Sequence, residues 1–252
     1  MVTYNLSTYK ILVTFIVVFI LSPPEVIKQC VDILNTKNII VVYGSTELSP
    51  VVSGSHISDP LELRTQTIGK PLEHLECKIV NDKMEIVPVN EPGELLVRGY
   101  SSMIEYYEDR EKTVETYTSD RFFKTGDVVS MDQNGYMKHL SRLKDIVIRG
   151  GENIYPRELE DFLHNCEKIA DVYVVGVPDK RMGEEVCACV KLETNKTMTA
   201  DEVKEFCKNK IAHFKIPRYV LFMNDFPMTV TGKIQKNKLR EIVIKKLELD
   251  GN

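Results

Sequence analysis

Metal-binding and disulfide spacings are missing from this chain. Its 252 residues include six cysteines, namely Cys30, Cys77, Cys166, Cys187, Cys189 and Cys207, with no C-x-x-C pair and no accompanying histidine spacing. That argues against a structural zinc site and a disulfide framework, and for a reducing compartment. Arginine is absent before Arg64, so no Arg-rich mitochondrial presequence is visible. The most apolar run, Ile11 to Leu21, contains only Thr14 as a polar residue. It is well short of the roughly 20 residues a membrane-spanning helix needs. A single Lys10 precedes it and no A-x-A-like cleavage site follows, so a signal peptide is poorly supported. A buried strand, an anchor touching a membrane through residues 11–21, or a non-native start remain open for this run. An excess of one charge is also lacking: the formal net charge is −4, which gives no general attraction to nucleic acid or to anionic lipid. Glycine is absent until Gly44.

What is present is ordinary globular composition, 43% apolar and 28% charged, in a chain long enough for one large or two small domains. Ser22-Pro23-Pro24 followed by Ile27, Cys30, Val31 and Leu34 predicts an amphipathic helix. Ile39 to Tyr43 is β-branched and continuous, the pattern of a buried strand. Residues 68–98 read as short strands and turns, including Cys77 to Val80 and Glu94 to Arg98. The turn Asp132-Gln133-Asn134-Gly135 predicts a hairpin of Val128–Met131 with Tyr136–Ser141, with Asp127 and Arg142 near each other at its open end. Beyond Arg142 the texture changes to mixed helices and strands. Pro156 starts a helix, 172–177 and 186–192 are strands, and Thr199 to Glu202 is a capping box. Strand 219–223 and helix 235–249 follow, which together describe a compact α+β domain. Cys187 and Cys189 share one strand face as small core residues.

Five stretches could carry chemistry. Tyr43-Gly44-Ser45-Thr46-Glu47 follows a strand, where ligands of α/β sheets bind. Glu47 could hold Mg²⁺ on phosphates and Thr46 could offer a hydroxyl to them, or the segment is a plain strand-end turn. Thr125-Gly126-Asp127 offers a carboxylate suited to a pair of ribose hydroxyls, or a turn-stabilising Asp. Arg142 is a nucleotide donor or a surface ion pair. Gly150 and Gly151 form a turn or a close approach to a thin ligand. Thr229-Val230-Thr231-Gly232-Lys233 puts a lysine on a loop, suited to an α-phosphate and carboxylate being joined. The cluster Lys233, Lys236, Lys238, Arg240, Lys245 and Lys246 is either a solvated face or a phosphate-facing end.

In this order, these stretches resemble the adenylate-forming superfamily of acyl-CoA synthetases, luciferases and peptide-synthetase adenylation domains. The residues that carry the likeness are Tyr43–Glu47, Thr125–Asp127, Gly135–Ile154 and Pro227–Lys233. Val175–Cys189 and His213-Phe214-Lys215-Ile216-Pro217 are similar to mitochondrial medium-chain acyl-CoA ligases. The resemblance runs from about Ser22 to Leu247. It implies an α/β and α+β fold: residues 1–21 outside the family, 22–143 a remnant of a large AMP-binding domain with a β-rich subdomain, and 144–252 a small C-terminal domain hinged at Lys144.

The same resemblance implies ATP, Mg²⁺, CoA and a medium-chain fatty acid as substrates and cofactor, and a mitochondrial location. Tyr43, Thr46, Asp127, Arg142 and Lys233 would contact the nucleotide, Glu47 the metal, and Gly150 and Gly151 the CoA path, with Lys233 the lysine of adenylation. The family's Gly-rich triphosphate loop would lie upstream of Tyr43, where this chain has no glycine. The expectation is therefore an incomplete form that does not turn over alone, or a folded non-catalytic fragment that acts by binding. Residues from about Lys144 onward should resist proteases.

Overall fold

The computed structural model describes residues 15–17, 33, 39–230 and 232–249. The helix expected from Ser22 to Leu34 lies outside the described residues, Ile33 apart. So do most of the Ile11–Leu21 run and Thr231. The chain forms two compact units that divide between His139 and Leu140, a short way before Lys144. No helix among the described residues is long and apolar enough to cross a membrane.

The first unit carries two sheets. In one, β1 (Phe15–Val17) runs parallel to β2 (Ile39–Tyr43), and the two-residue strands β3 (Ser53–Gly54) and β4 (Lys70–Pro71) continue it antiparallel. Those three residues of the apolar run are thus a strand. β2 was expected to be buried throughout. Instead it alternates: Ile39, Val41 and Tyr43 are buried and Ile40 and Val42 half-buried, because the sheet is covered unequally on its two faces. The other sheet is the β-rich subdomain, in spatial order β5 (Leu75–Val80), β6 (Gly93–Gly99), β7 (Phe123–Met131) and β8 (Met137–Arg142).

Two short helices that the sequence pattern does not announce, α1 (Leu61–Gln66) and α2 (Arg110–Thr116), flank these strands. α2 buries none of its residues, so it has no apolar stripe to read. α1 contributes a buried arginine: Arg64 donates from Nη1 to the Ile39 carbonyl at 3.0 Å and from Nε to the Asp59 carbonyl at 2.9 Å. One core joins Tyr43, Leu48 and Val52 to Leu95, Val97, Phe123, Val129 and Met137. This core brings the end of β2 against the β-rich sheet.

The second unit is a layered α+β fold. Its sheet runs β10 (Glu152–Ile154), β9 (Val147–Arg149), β12 (Gly183–Leu192), β11 (Ile169–Asp179), with β13 (Tyr219–Phe222) parallel to β12. Alternation along β11 and β12 separates two cores. Val172, Val174, Val186, Ala188 and Val190 face Leu159 and Leu163 of α3 (Pro156–Leu163) and Val203 and Cys207 of α4 (Ala200–Cys207). Val175, Val177, Cys187 and Cys189 face Leu239 and Val243 of α5 (Lys236–Lys246). Burial on both faces explains the unbroken apolar runs of β11 and β12.

Cys187 and Cys189 are fully buried core residues on one face, and their mutual contact, together with burial, pushes the Cys187 thiol far above its ordinary range. Helix starts follow local chemistry. Pro156 occupies the first turn of α3. At α4 the Thr199 hydroxyl accepts from the Glu202 amide at 3.2 Å, while the Glu202 carboxylate accepts from the Thr199 amide at 2.7 Å.

Candidate active site

In the first unit the chain leaves β2 at Tyr43 and turns at once. A side chain at Gly44 would place its Cβ 1.8 Å from the Pro50 carbonyl oxygen, so only glycine allows the returning segment to pass. A 3₁₀ turn, Thr46–Leu48, then presents Thr46 exposed and Glu47 half-buried. The Glu47 carboxylate accepts from the Tyr106 hydroxyl at 3.1 Å. Burial would raise its pKa, but its own amide, the Ser45 and Tyr106 hydroxyls and the Lys112 charge outweigh this and hold it below the ordinary carboxylate value. Glu47 is therefore charged at neutral pH, which fits a single carboxylate helping to hold Mg²⁺.

Asp127 meets this strand end from the opposite sheet. Pairing of β6 with β7 slips at Leu95, so Thr125, Gly126 and Asp127 together oppose one residue. Such a bulge re-aims a side chain. Gly126 takes a φ of +68° and donates to Glu94 Oε1 at 3.0 Å, while the Thr125 hydroxyl donates to the Leu95 carbonyl at 2.7 Å and accepts from the Asp127 amide at 3.1 Å. The Asp127 carboxylate turns inward, where Oδ2 accepts from the Tyr43 hydroxyl at 2.8 Å and Oδ1 lies 3.4 Å from His139 Nε2. Burial raises the Glu94 carboxyl; the Gly126 amide and Lys124 work against this and the Asp127 charge adds to it, leaving it above its usual value.

Two motifs 84 residues apart thus meet through one hydrogen bond. His139, Tyr106 and Glu94 also reach this site. Nothing in the spacing marks them, because each joins the site through pairing between distant segments.

In the second unit the nominated residues occupy turns. Arg142 ends β8, and Lys144 lies in the 3₁₀ turn Leu143–Asp145; both are exposed. Gly150 and Gly151 form the two-residue turn between β9 and β10, with φ of +60° and +89°, a conformation that suits successive glycines. The turn is anchored on both sides. The Gly150 amide donates to the Met182 carbonyl at 2.8 Å. Arg149 pairs with the buried Glu185 at 2.7 Å and donates to the Phe214 carbonyl at 2.7 Å. Lys233 is exposed on a tight loop closed by Thr229 N–H to the Lys233 carbonyl at 2.7 Å and by Lys233 N–H to Thr229 Oγ1 at 3.0 Å. The basic cluster divides: Lys236 donates to Glu160 at 2.6 Å and Arg240 to Glu184 at 2.8 Å, so those two are structural ion pairs.

Residues 16–107 match the AMP-binding enzyme family and residues 158–233 match the AMP-binding enzyme C-terminal domain. The chain belongs to the AMP-binding enzymes, the adenylate-forming superfamily. Among curated AMP-binding enzymes it is 50% identical over 228 residues to the mitochondrial medium-chain acyl-CoA ligase ACSF2 of Danio rerio, which covers 90% of this chain and 38% of that protein. The Homo sapiens ACSF2 is 45% identical over 229 residues, covering 90% and 37%. The chain therefore spans less than two fifths of the length of these relatives. Among solved structures, an o-succinylbenzoate CoA synthetase from Bacillus subtilis in complex with its acyl-adenylate intermediate matches with a TM-score of 0.77 at 29% identity, over 87% of this chain and 44% of that one.

Proposed function

We propose that the protein serves an ATP-dependent medium-chain fatty acid:CoA ligase reaction, supplying its nucleotide-holding and thioester-forming residues. In the first half-reaction a fatty carboxylate oxygen attacks the α-phosphorus of ATP, giving an acyl-adenylate and expelling pyrophosphate. In the second, the CoA thiol attacks the acyl carbon, forming the thioester and releasing AMP. The observation that carries this reading is the buried Tyr43–Asp127 hydrogen bond at 2.8 Å. It brings a strand-end motif and a bulge-mounted carboxylate to one point, where sheets of this kind bind ligands.

In this reading Asp127 accepts from the ribose hydroxyls and Tyr43 lines the adenylate. Thr46 and Arg142 donate to phosphate oxygens. Glu47 would hold Mg²⁺, which when bound neutralises charge on the phosphates. Lys233, on its exposed loop, places a cation where negative charge builds between α-phosphate and carboxylate. The Gly150–Gly151 turn, having no side chains, lets pantetheine pass close to backbone. Lys144 is the hinge about which Lys233 and this turn alternate at the acyl phosphate. The named relatives are mitochondrial, and we assign the same compartment. The same relatives support medium-chain acids rather than another acyl class.

Isothermal titration with AMP tests the carrying observation. Asp127→Asn keeps the size of the side chain and removes its charge. It should weaken AMP binding by about tenfold with an unchanged circular-dichroism melt. Equal AMP affinity in the variant would return Asp127 to a structural turn and leave the folded, non-catalytic alternative as the better account.

A further inference from the structure

We propose that His139 is a positioning residue that aims the Asp127 carboxylate at the ribose hydroxyls. This rests on the nucleotide reading of Asp127 above. His139 lies on β8, the strand beside β7, and its side chain is only 7% exposed against 8% for that of Asp127. The Nε2 to Oδ1 distance is 3.4 Å. A carboxylate oxygen only accepts, so the imidazole hydrogen that makes this contact sits on Nε2. The other nitrogen, Nδ1, is buried with no hydrogen-bond partner among the described residues.

An imidazole is a poor choice for filling space here. Its neighbour two positions back on the same strand is Met137, fully buried and apolar. A leucine or isoleucine at 139 would pack into the same interior without leaving a polar atom unpaired. What the histidine supplies is a donor to Asp127 Oδ1. Tyr43, from β2, holds one carboxylate oxygen, and His139, from β8, holds the other. The rings of Tyr43 and His139 lie 6.4 Å apart and tilted by 38°. Donors on both oxygens, from different strands, set the plane of the carboxylate. A carboxylate has roughly four acceptor positions, more than these two donors occupy. A vicinal diol, with two hydroxyls at a set separation, is the ligand whose binding depends on that plane. Glu94, from β6, adds a charge near the pair but touches the Gly126 amide rather than His139.

The test measures AMP and 2′,3′-dideoxy-AMP binding to the 252-residue chain by titration, the dideoxy probe by competition. His139→Leu should weaken AMP roughly five- to tenfold while changing the dideoxy probe less than about twofold. His139→Gln, which keeps an N–H of similar reach, should recover most of the AMP affinity. His139→Asn keeps an amide too short to reach Oδ1, and should reproduce the selective loss if the leucine variant melts below the assay temperature. Unchanged AMP binding in His139→Leu would overturn the assignment, as would equal losses for both probes, which mark a structural role. Failure of the unaltered chain to bind AMP would overturn the nucleotide reading itself and this assignment with it.

Discussion

In the first unit the candidate groups are held from inside. Asp127 is 6% exposed and fully buried Tyr43 meets it, with His139 on the other oxygen and a bulge fixing the backbone. In the second unit Arg142, Lys144, Gly150, Gly151 and Lys233 all sit exposed on turns or strand ends. Its buried charges, Glu160 and Glu185, serve the scaffold by pairing with Lys236, Arg149 and Arg218. The difference separates two physical strategies. A group that must present a fixed geometry gains from burial, where hydrogen bonds are strong and rotamers few. A group that must reach a ligand and withdraw is better on an exposed loop, where little is broken when it moves.

The most severe way to break this contrast is Lys233→Ala, measured in a form of the protein that turns over. Loss of a cation at the developing charge should slow acyl-adenylate formation by about 10²–10³-fold, while thioester formation from preformed acyl-adenylate is far less affected. Equal losses in both half-reactions would remove the role given to that loop.

Next in size is Glu185→Ala, which leaves Arg149 without its buried carboxylate. Urea denaturation should show a loss of about 3 kcal/mol, and the Gly150–Gly151 turn should become more open to proteolysis. A loss below about 1 kcal/mol would mean that the ion cluster does not anchor the turn.

The smallest effect concerns His164. Burial lowers its pKa, but the Asp171 carboxylate 3.5 Å away and the Glu160 carbonyl 3.0 Å away prevail and hold it above the ordinary histidine value. A raised folded pKa stabilises below the unfolded value of about 6.5, and that contribution is lost as pH rises through the folded value. The melting temperature should therefore decline from about pH 6 to pH 8 by roughly 1–2 °C, and His164→Gln should flatten that part of the curve. A wild-type melt with no such decline would remove the ion pair from the account.

Legibility followed the range of the interaction. Thr199 and Glu202 are three apart, and their mutual capping could be read directly. So could Pro156 opening α3, the Asn134–Gly135 turn, and the apolar runs of β11 and β12. α1 and α2 were not legible: α2 buries nothing, and α1 is held by Arg64 reaching back to Ile39, a contact 25 residues long. The candidate motifs were readable as motifs, Tyr43–Glu47 and Thr125–Asp127 among them. His139 was not, since a histidine in an alternating strand looks like any half-buried polar residue until its neighbouring strand is known.

The sequence by itself determined the family, the order of the elements from α3 to α5 in the second unit, and which loops carry charge or glycine. These rest on residue type and on spacings within a few positions, where helix caps, turns and alternation act. Only the tertiary structure decided that Asp127 points inward to Tyr43, that a bulge at Leu95 turns it there, and that Lys236 and Arg240 are committed to Glu160 and Glu184. Those outcomes depend on strand register and on which faces are covered. Both are set by long-range burial, in which residues tens of positions apart compete for the same interior.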